Sequence, residues 1–457
     1  MRRWTNRITS AVKRQWSDPL SRGGLALLAN TGLTGILGFG YWIVAARLFS
    51  TFAVGVAGAL VAATTLFSGV GQLNLSGMLM RFLPSAGDKS RRLVLGTYAC
   101  AAGAAALLAL AAMAGIKIFA SPASPLRLGE VQSAALILAA AAMAVFTIED
   151  NVLVGLRRAI WVPVENGTFG VAKIAAILVL APAGTAFALF GAWMIPLVLT
   201  IPAISAVLFL RFLPPAPKPR SAARLGPQMR SRIFRFAAGD AAGGIFTQTW
   251  TYFLPVLIIA ELGASANALF YTSFLFSSTI DQVAANYASP LTVEGAHAPD
   301  KIAILIRQAL RHIFVIIVPA VVTLAVICTW LLRAFGEKYV RAAPLLVMLL
   351  IACLPKAVST VYYSYCRVQH STHRSAIMQG CVCVATLTAA ALFAHRSGLL
   401  VVGIVIIGVQ SAAGIVSWLA LRRGLSRLDQ HGKQGRHRRQ RDSTGPAGAI
   451  KLSVTGR

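Results

Sequence analysis

Apolar residues dominate this 457-residue chain in runs of roughly twenty, broken by short polar or basic segments. A helix needs about 20 apolar residues to cross a bilayer. The pattern therefore predicts an all-α polytopic membrane protein with about twelve transmembrane helices. The expected spans are 24–46, 52–74, 93–118, 131–154, 164–181, 186–211, 235–259, 265–289, 307–332, 342–365, 375–394 and 398–421. The proline- and arginine-rich stretch LPPAPKPRSAARLGPQ after Phe212 separates six spans from six. Because six is even, both halves enter the membrane in the same sense, as a parallel repeat does. Asn30 in the first span corresponds to Asp240 in the seventh, and RLFSTFAVG corresponds weakly to ELGASANAL.

The domains expected on this basis are a basic N-terminal segment (1–22), an N-lobe (23–212), a basic Pro-rich linker (213–232), a C-lobe (233–421) and a disordered basic tail (422–457). Trp4, Ile8, Val12 and Trp16 recur every four residues among arginines and lysines. This suits either an amphipathic segment on an anionic leaflet or a disordered basic N-terminus that sets orientation.

Charge adds direction. Only 12% of residues are charged and the mean hydropathy is +0.70, yet the formal net charge is +29. With a cytoplasmic N-terminus, 34 of the 43 Lys and Arg fall in inside segments and seven outside. This places both termini in the cytoplasm. The same asymmetry explains the basic balance without nucleic acid, since the spans leave no folded soluble domain to present a basic surface. Six cysteines sit in or beside apolar runs without metal-site spacing, and there is no GxxxxGK phosphate loop and no H-E-x-x-H. No enzyme activity, cofactor or metal is expected.

The chemistry that remains is polar residues within spans, where each is costly and hence a functional candidate. Lys173 and Lys356 lie near the middle of the fifth and tenth spans and imply a watery, electropositive cavity. Helical spacing aligns Asn30, Thr34 and Tyr41 on one span and Asp240, Thr247 and Thr251 on another. A third span aligns Lys356, Ser359, Thr360, Tyr363 and Arg367. Asn166, one turn into the fifth span, joins the cavity candidates. Glu149, Asp150, Glu165 and Asp281 sit near cytoplasmic span ends. They are candidates to pair with Arg81, Arg157 and Arg158 as an inside gate, or to be solvated helix ends.

LLANTGLTGILGFGYWIVAARLFS followed by GQLNLSGMLMRFLPSAG resembles the N-terminal signature of bacterial polysaccharide-biosynthesis membrane proteins. These are the oligosaccharide flippases of the multidrug/oligosaccharidyl-lipid/polysaccharide (MOP) exporter superfamily. FTIEDNVLVGLRRAIWVPVEN, LLRAFGEKYVRAAPLLVML and LPKAVSTVYYSYCRVQ resemble actinobacterial members. The resemblance covers roughly residues 20–420. It implies two six-helix lobes around a cavity that opens alternately to either side of a bacterial cytoplasmic membrane. It also implies a polyprenyl-pyrophosphate oligosaccharide as cargo, met by Lys173, Lys356 and, near the outer gate, Arg47. Expected partners are the lipid-linked oligosaccharide, membrane lipids, and a polysaccharide polymerase or glycosyltransferases, around a monomeric protein. Multidrug cation exporters of the same superfamily are the alternative, but they use an acid on the first span where this chain has Asn30. A glycan-assembly scaffold is a third reading.

Overall fold

The computed structural model describes the backbone of residues 19–72, 90–119, 127–213, 227–297 and 302–443, with Leu75, Met78, Leu79, Leu83 and Gly87 between the first two ranges. Side chains are described among these except for 19–25, 28, 119, 227–240, 289, 290, 293–297, 396, 397 and 427–443. The N-terminal basic segment apart from its last four backbone positions, Arg81, the side chain of Asp240, most of the linker and residues 444–457 therefore lie outside the described residues.

Among the described residues the chain is all helical. The helices are α1 (Pro19–Leu48), α2 (Thr51–Gly71), α3 (Ser90–Phe119), α4 (Glu130–Gly155), α5 (Trp161–Leu180), α6 (Ala186–Val207) and α7 (Pro227–Leu262). They continue with α8 (Ala264–His297), α9 (Ile302–Val326), α10 (Cys328–Phe335), α11 (Ala343–Val368), α12 (Thr372–Ser397) and α13 (Leu399–Ser443). Among the described residues, ten helices are long and apolar enough to cross a membrane. Helix α8 is diluted by polar residues such as Ser277, Ser278, Asp281 and Gln282, and the described part of α1 carries Asn30, Thr31 and Thr34. The outside of the bundle is greasy: Ile36, Val179, Leu210 and Trp330 are largely exposed. A water-facing surface would not carry so many exposed large apolar side chains, and a lipid-facing one does.

Three element boundaries differ from the expected spans. The ninth span breaks at Ile327. Its last part becomes α10, whose Cys328, Leu332 and Phe335 turn one face inward while Trp330 faces out. Helix α7 starts at Pro227, inside the expected linker, because proline is tolerated in a helical first turn. The tail expected to be disordered from 422 instead continues α13 to Ser443. Its Arg, Leu, Gln and Lys residues are good helix formers, Leu421 and Leu425 are still buried, and no proline interrupts until Pro446.

The two halves use the same set of neighbours. In the first, α1 packs on α5, α5 on α6, α3 on α4, and α2 on α3 and α4. In the second, α7 packs on α12, α12 on α13, α9 on α11, and α8 on α9 and α11. Between the halves, α2 is the main bridge, touching both α7 and α8. It is built almost wholly of small residues, and most of its length is buried.

At its start α2 meets α8 backbone to backbone. A Cβ on Gly55 would lie 1.7 Å from the Ala264 carbonyl oxygen, and Asn267 Nδ2 donates to the Gly55 carbonyl at 2.7 Å. One turn on, a Cβ at Gly58 would press on the Tyr271 ring at 3.0 Å. Trp42 meets Tyr271 edge-on at 4.8 Å, and Phe39 stacks on Phe276 at 4.7 Å, so α1 joins the same seam.

Gly55→Ala is expected to destabilise the protein by about 1–3 kcal/mol, as overpacking of a close contact does. Gly32→Ala, with nothing within 4 Å of its Cβ, serves as the neutral control. Thermal unfolding of the detergent-purified variants checks this; equal midpoints for Gly55→Ala and wild type would mean that α2 and α8 do not touch.

Candidate functional site

The α2–α8 seam closes one end of the space between the lobes. Arg47, at the end of α1, completes that closure. Its Nε donates to the Ala334 carbonyl at 2.8 Å and its Nη2 to the Arg333 carbonyl at 2.7 Å. These carbonyls belong to the last turn of α10, where a cation is favoured, and the Arg333 carbonyl also accepts from the Gly336 N–H. Arg47 therefore acts here as an inter-lobe helix cap.

Toward the other end of the bundle lies a cavity of about 780 Å³. The N-lobe contributes α1 through Thr31, Thr34 and Gly35, and the C-lobe contributes residues of α7, α8, α11, α12 and α13. Among the described residues, its charged lining residues are Lys356, Arg367 and Asp281. Lys356 Nζ donates to Asp281 Oδ2 at 2.7 Å and sits 4.6 Å from the centre of the Trp250 ring. Both side chains are about a fifth exposed (21% and 22%), so they border the cavity. The walls are otherwise hydroxyls and amides, partly engaged with each other. Thr247 Oγ1 donates to Gln379 Oε1 at 2.6 Å, and Gln379 Nε2 donates to Ser375 Oγ at 2.7 Å. Tyr363 and Gln410 also face the space. Such a surface offers donors and acceptors for a polar ligand and an aromatic face, and its described charges are two cations and one anion.

The arrangement regroups the residues singled out in the sequence. Lys356, Tyr363 and Asp281 come together in the cavity, although Asp281 was expected at the gate. It cannot serve both places, because α8 carries it alongside α11, where Lys356 claims it. Asn30 is not among the lining residues; its Oδ1 is buried without a hydrogen-bond partner. Lys173 is not among them either. It lies in the N-lobe with its ammonium 5.0 Å from the Phe169 ring centre and 5.4 Å from that of Tyr41. Asn166 donates to Asp150 Oδ1 at 2.9 Å, within the N-lobe.

The latch of acids on arginines does not form among the described residues. Arg158 lies 5.0 Å above the Phe212 ring, and Arg157 is exposed in a left-handed turn conformation (φ 58°) between α4 and α5. Glu149 and Glu165 are instead fully buried, both 0% exposed. The turn aims the arginines outward while the two glutamates, one on each helix, point into the bundle. Trp250, Gln379 and Gln410 had not been singled out, although a lone amide in an apolar span is a visible signal.

No protein-family model and no curated protein matches the chain. Solved structures do match its fold. A MOP superfamily transporter from Pyrococcus furiosus Vc1, described by a reverse polarity of its binding pocket that suggests a different function, aligns with TM-score 0.64 and 15% identity. The alignment covers 90% of this chain and 97% of that one. A MATE crystal structure in the bent conformation aligns with TM-score 0.62 and 14% identity over 92% and 99% of the two chains. An inward-facing multidrug resistance MATE family transporter of the MOP superfamily gives 0.60 and 16% over 91% and 98%. The chain thus has the fold of these transporters over nearly its full length.

Asp281→Asn and Lys356→Met are each expected to destabilise the protein by about 1–3 kcal/mol, less than for a fully buried pair because both groups still reach solvent. The double variant should lose less than the sum of the two. A thermal double-mutant cycle in detergent reads this coupling, and strict additivity would show that the pair contributes nothing.

Proposed function

We propose that this protein is an exporter of the flippase type, moving a lipid-linked oligosaccharide on a polyprenyl pyrophosphate across the cytoplasmic membrane by alternating access. The observation that carries the reading is the polar cavity between the lobes, which sets Lys356 and Arg367 among hydroxyls and amides. A pyrophosphate needs cations and donors, and sugar hydroxyls need the paired acceptors and donors that Gln, Ser and Thr supply. In this arrangement Lys356 is neutralised by Asp281. An arriving phosphate would compete for the ammonium, so the pair is an exchangeable occupant of the anion position. With both termini cytoplasmic, the closed seam faces outward and the cavity faces the side on which such a cargo is assembled.

A second space supports a lipid-borne cargo. Between α2, α3, α4 and α7 a crevice of about 520 Å³ is lined by Leu60, Leu66, Phe67, Met113, Phe253 and neighbouring apolar residues. An isoprenoid chain can stay in such a crevice while its polar head crosses. The MOP neighbour with a pocket of reverse polarity supports a cargo on this fold that differs from the cargo of its multidrug relatives.

Export of cationic drugs is the second reading. Asp281 with Trp250 and Tyr252 around the cavity would suit a flat cation, and two of the neighbours are multidrug resistance transporters. The absence of an acid among the described residues that α1 gives to the cavity weighs against it.

In cells lacking the gene, a specific polyprenyl-linked oligosaccharide should accumulate facing the cytoplasm and clear on complementation. The neutral pair Lys356→Gln with Asp281→Asn keeps shape and hydrogen bonding. It should lower clearance at least ~10-fold, the loss of about one charge-assisted hydrogen bond. Normal lipid-linked intermediates together with new sensitivity to cationic dyes would move the protein to drug export.

A further inference from the structure

The N-lobe buries two carboxylates face to face. Glu149 on α4 and Glu165 on α5 lie within hydrogen-bonding reach of one another and are both 0% exposed. Only one of their four oxygens has a donor: Ser205 on α6 donates to Glu149 Oε1 at 2.5 Å. Glu149 Oε2 and both oxygens of Glu165 are buried with no hydrogen-bond partner.

Among the described residues, the surrounding groups do not supply what is missing. From α3, the Tyr98 hydroxyl lies beside Glu149 and Ser205 but completes no hydrogen bond, and Arg91 is turned away, donating to the Phe209 and Leu213 carbonyls. On α4, Asp150 adds a third carboxyl, which takes its donor from Asn166. On α5, Lys173 sits two turns further along, between the Phe169 and Tyr41 rings. Arg157 and Arg158 are exposed at the α4–α5 turn, and Arg211 is exposed just beyond α6. Helix α2 carries no charged residue, and the described charged residue of α1, Arg47, caps α10 at the opposite end.

A carboxylate only accepts hydrogen bonds, whereas a carboxylic acid also donates one. One proton on either glutamate turns the facing oxygens into a donor and an acceptor and removes the repulsion of two like charges in a dry site. The missing ligand of this site is therefore a hydrogen ion. A metal fits less well, since among the described residues no group of three His, Cys, Asp or Glu side chains could hold one. The pair is also within reach of solvent. Glu149 lies six residues before the end of α4 and Glu165 four residues after the start of α5, which is one to two helical turns from the turn that joins them.

We propose that Glu149 and Glu165 form a proton-binding site whose occupancy holds α4, α5 and α6 together. Loss of the proton as pH rises leaves two facing negative charges and loosens these helices from each other. The site is separate from the cavity described above, and its test involves no cargo.

The test uses the purified full-length protein in detergent, without sodium. Infrared difference spectra across mildly acidic to mildly alkaline pH should show a carboxylic-acid C=O band that disappears as pH rises. The band should be absent from both Glu149→Gln and Glu165→Gln. Amide hydrogen exchange in residues 161–170 and 198–207 should rise with the same midpoint, beyond the intrinsic chemical increase. Glu165→Gln keeps a donor toward Glu149 and should hold exchange low with no midpoint; Glu149→Gln serves the same purpose if that variant does not fold. Three results would overturn the proposal: no such band in the wild type at any pH, a band that titrates without a change in exchange, or a band removed by sodium at constant pH.

Discussion

The contact between α2 and α8 decides what the rest of this molecule can be. Where the Gly55 backbone lies under the Ala264 carbonyl there is no room for any side chain atom, and Asn267 pins the approach through the Gly55 carbonyl. The approach is kept along α2, where a Cβ on Gly69 near the other end would lie 2.3 Å from Gln248 Nε2 of α7. The space bordered by α1, α7, α8 and α11 lies beside this bridge, and none of the α2 residues lines it.

The two lobes solve the same problem of buried charge in different ways. The C-lobe places opposite charges on neighbouring helices, α8 and α11, and backs them with the Trp250 ring. Its cavity wall is thereby neutral at its centre and able to re-form around a charged visitor. The N-lobe places like charges on neighbouring helices and keeps its midspan Lys173 apart, between aromatic rings that tolerate an ammonium through their negative faces. Among the described residues, three of the four Glu149 and Glu165 oxygens have no hydrogen-bond partner, whereas the C-lobe pair satisfies its own charges.

How much of this could be read in the chain depends on the kind of signal. The apolar runs report helices directly, because a bilayer-length helix is encoded locally, and the repeat of six and six follows from their number. The ends of helices are harder to read: Pro227 starts α7 before the apolar run does, and α13 continues beyond it through residues that need no apolar neighbours. Midspan lysines are visible as anomalies, but their partners are not. Asp281 is 75 residues before Lys356, and the pairing depends on the rotation of α8 against α11, which no periodicity along one helix reports. Glu149 and Glu165 are a related case. With two arginines between them in sequence, a gate latch and solvated helix ends are both open readings, and the turn at Arg157 sends those arginines outward.

The Arg47 cap gives the closed end a direction of failure. Its hydrogen bonds to the α10 carbonyls are made at exposed positions, where water can take them over without leaving any group unpaired. The Gly55–Ala264 contact behind it is buried and leaves no room for a side-chain atom. Water therefore meets the rim of the closed end before its interior, and the exposed cap is the part that solvent can loosen first.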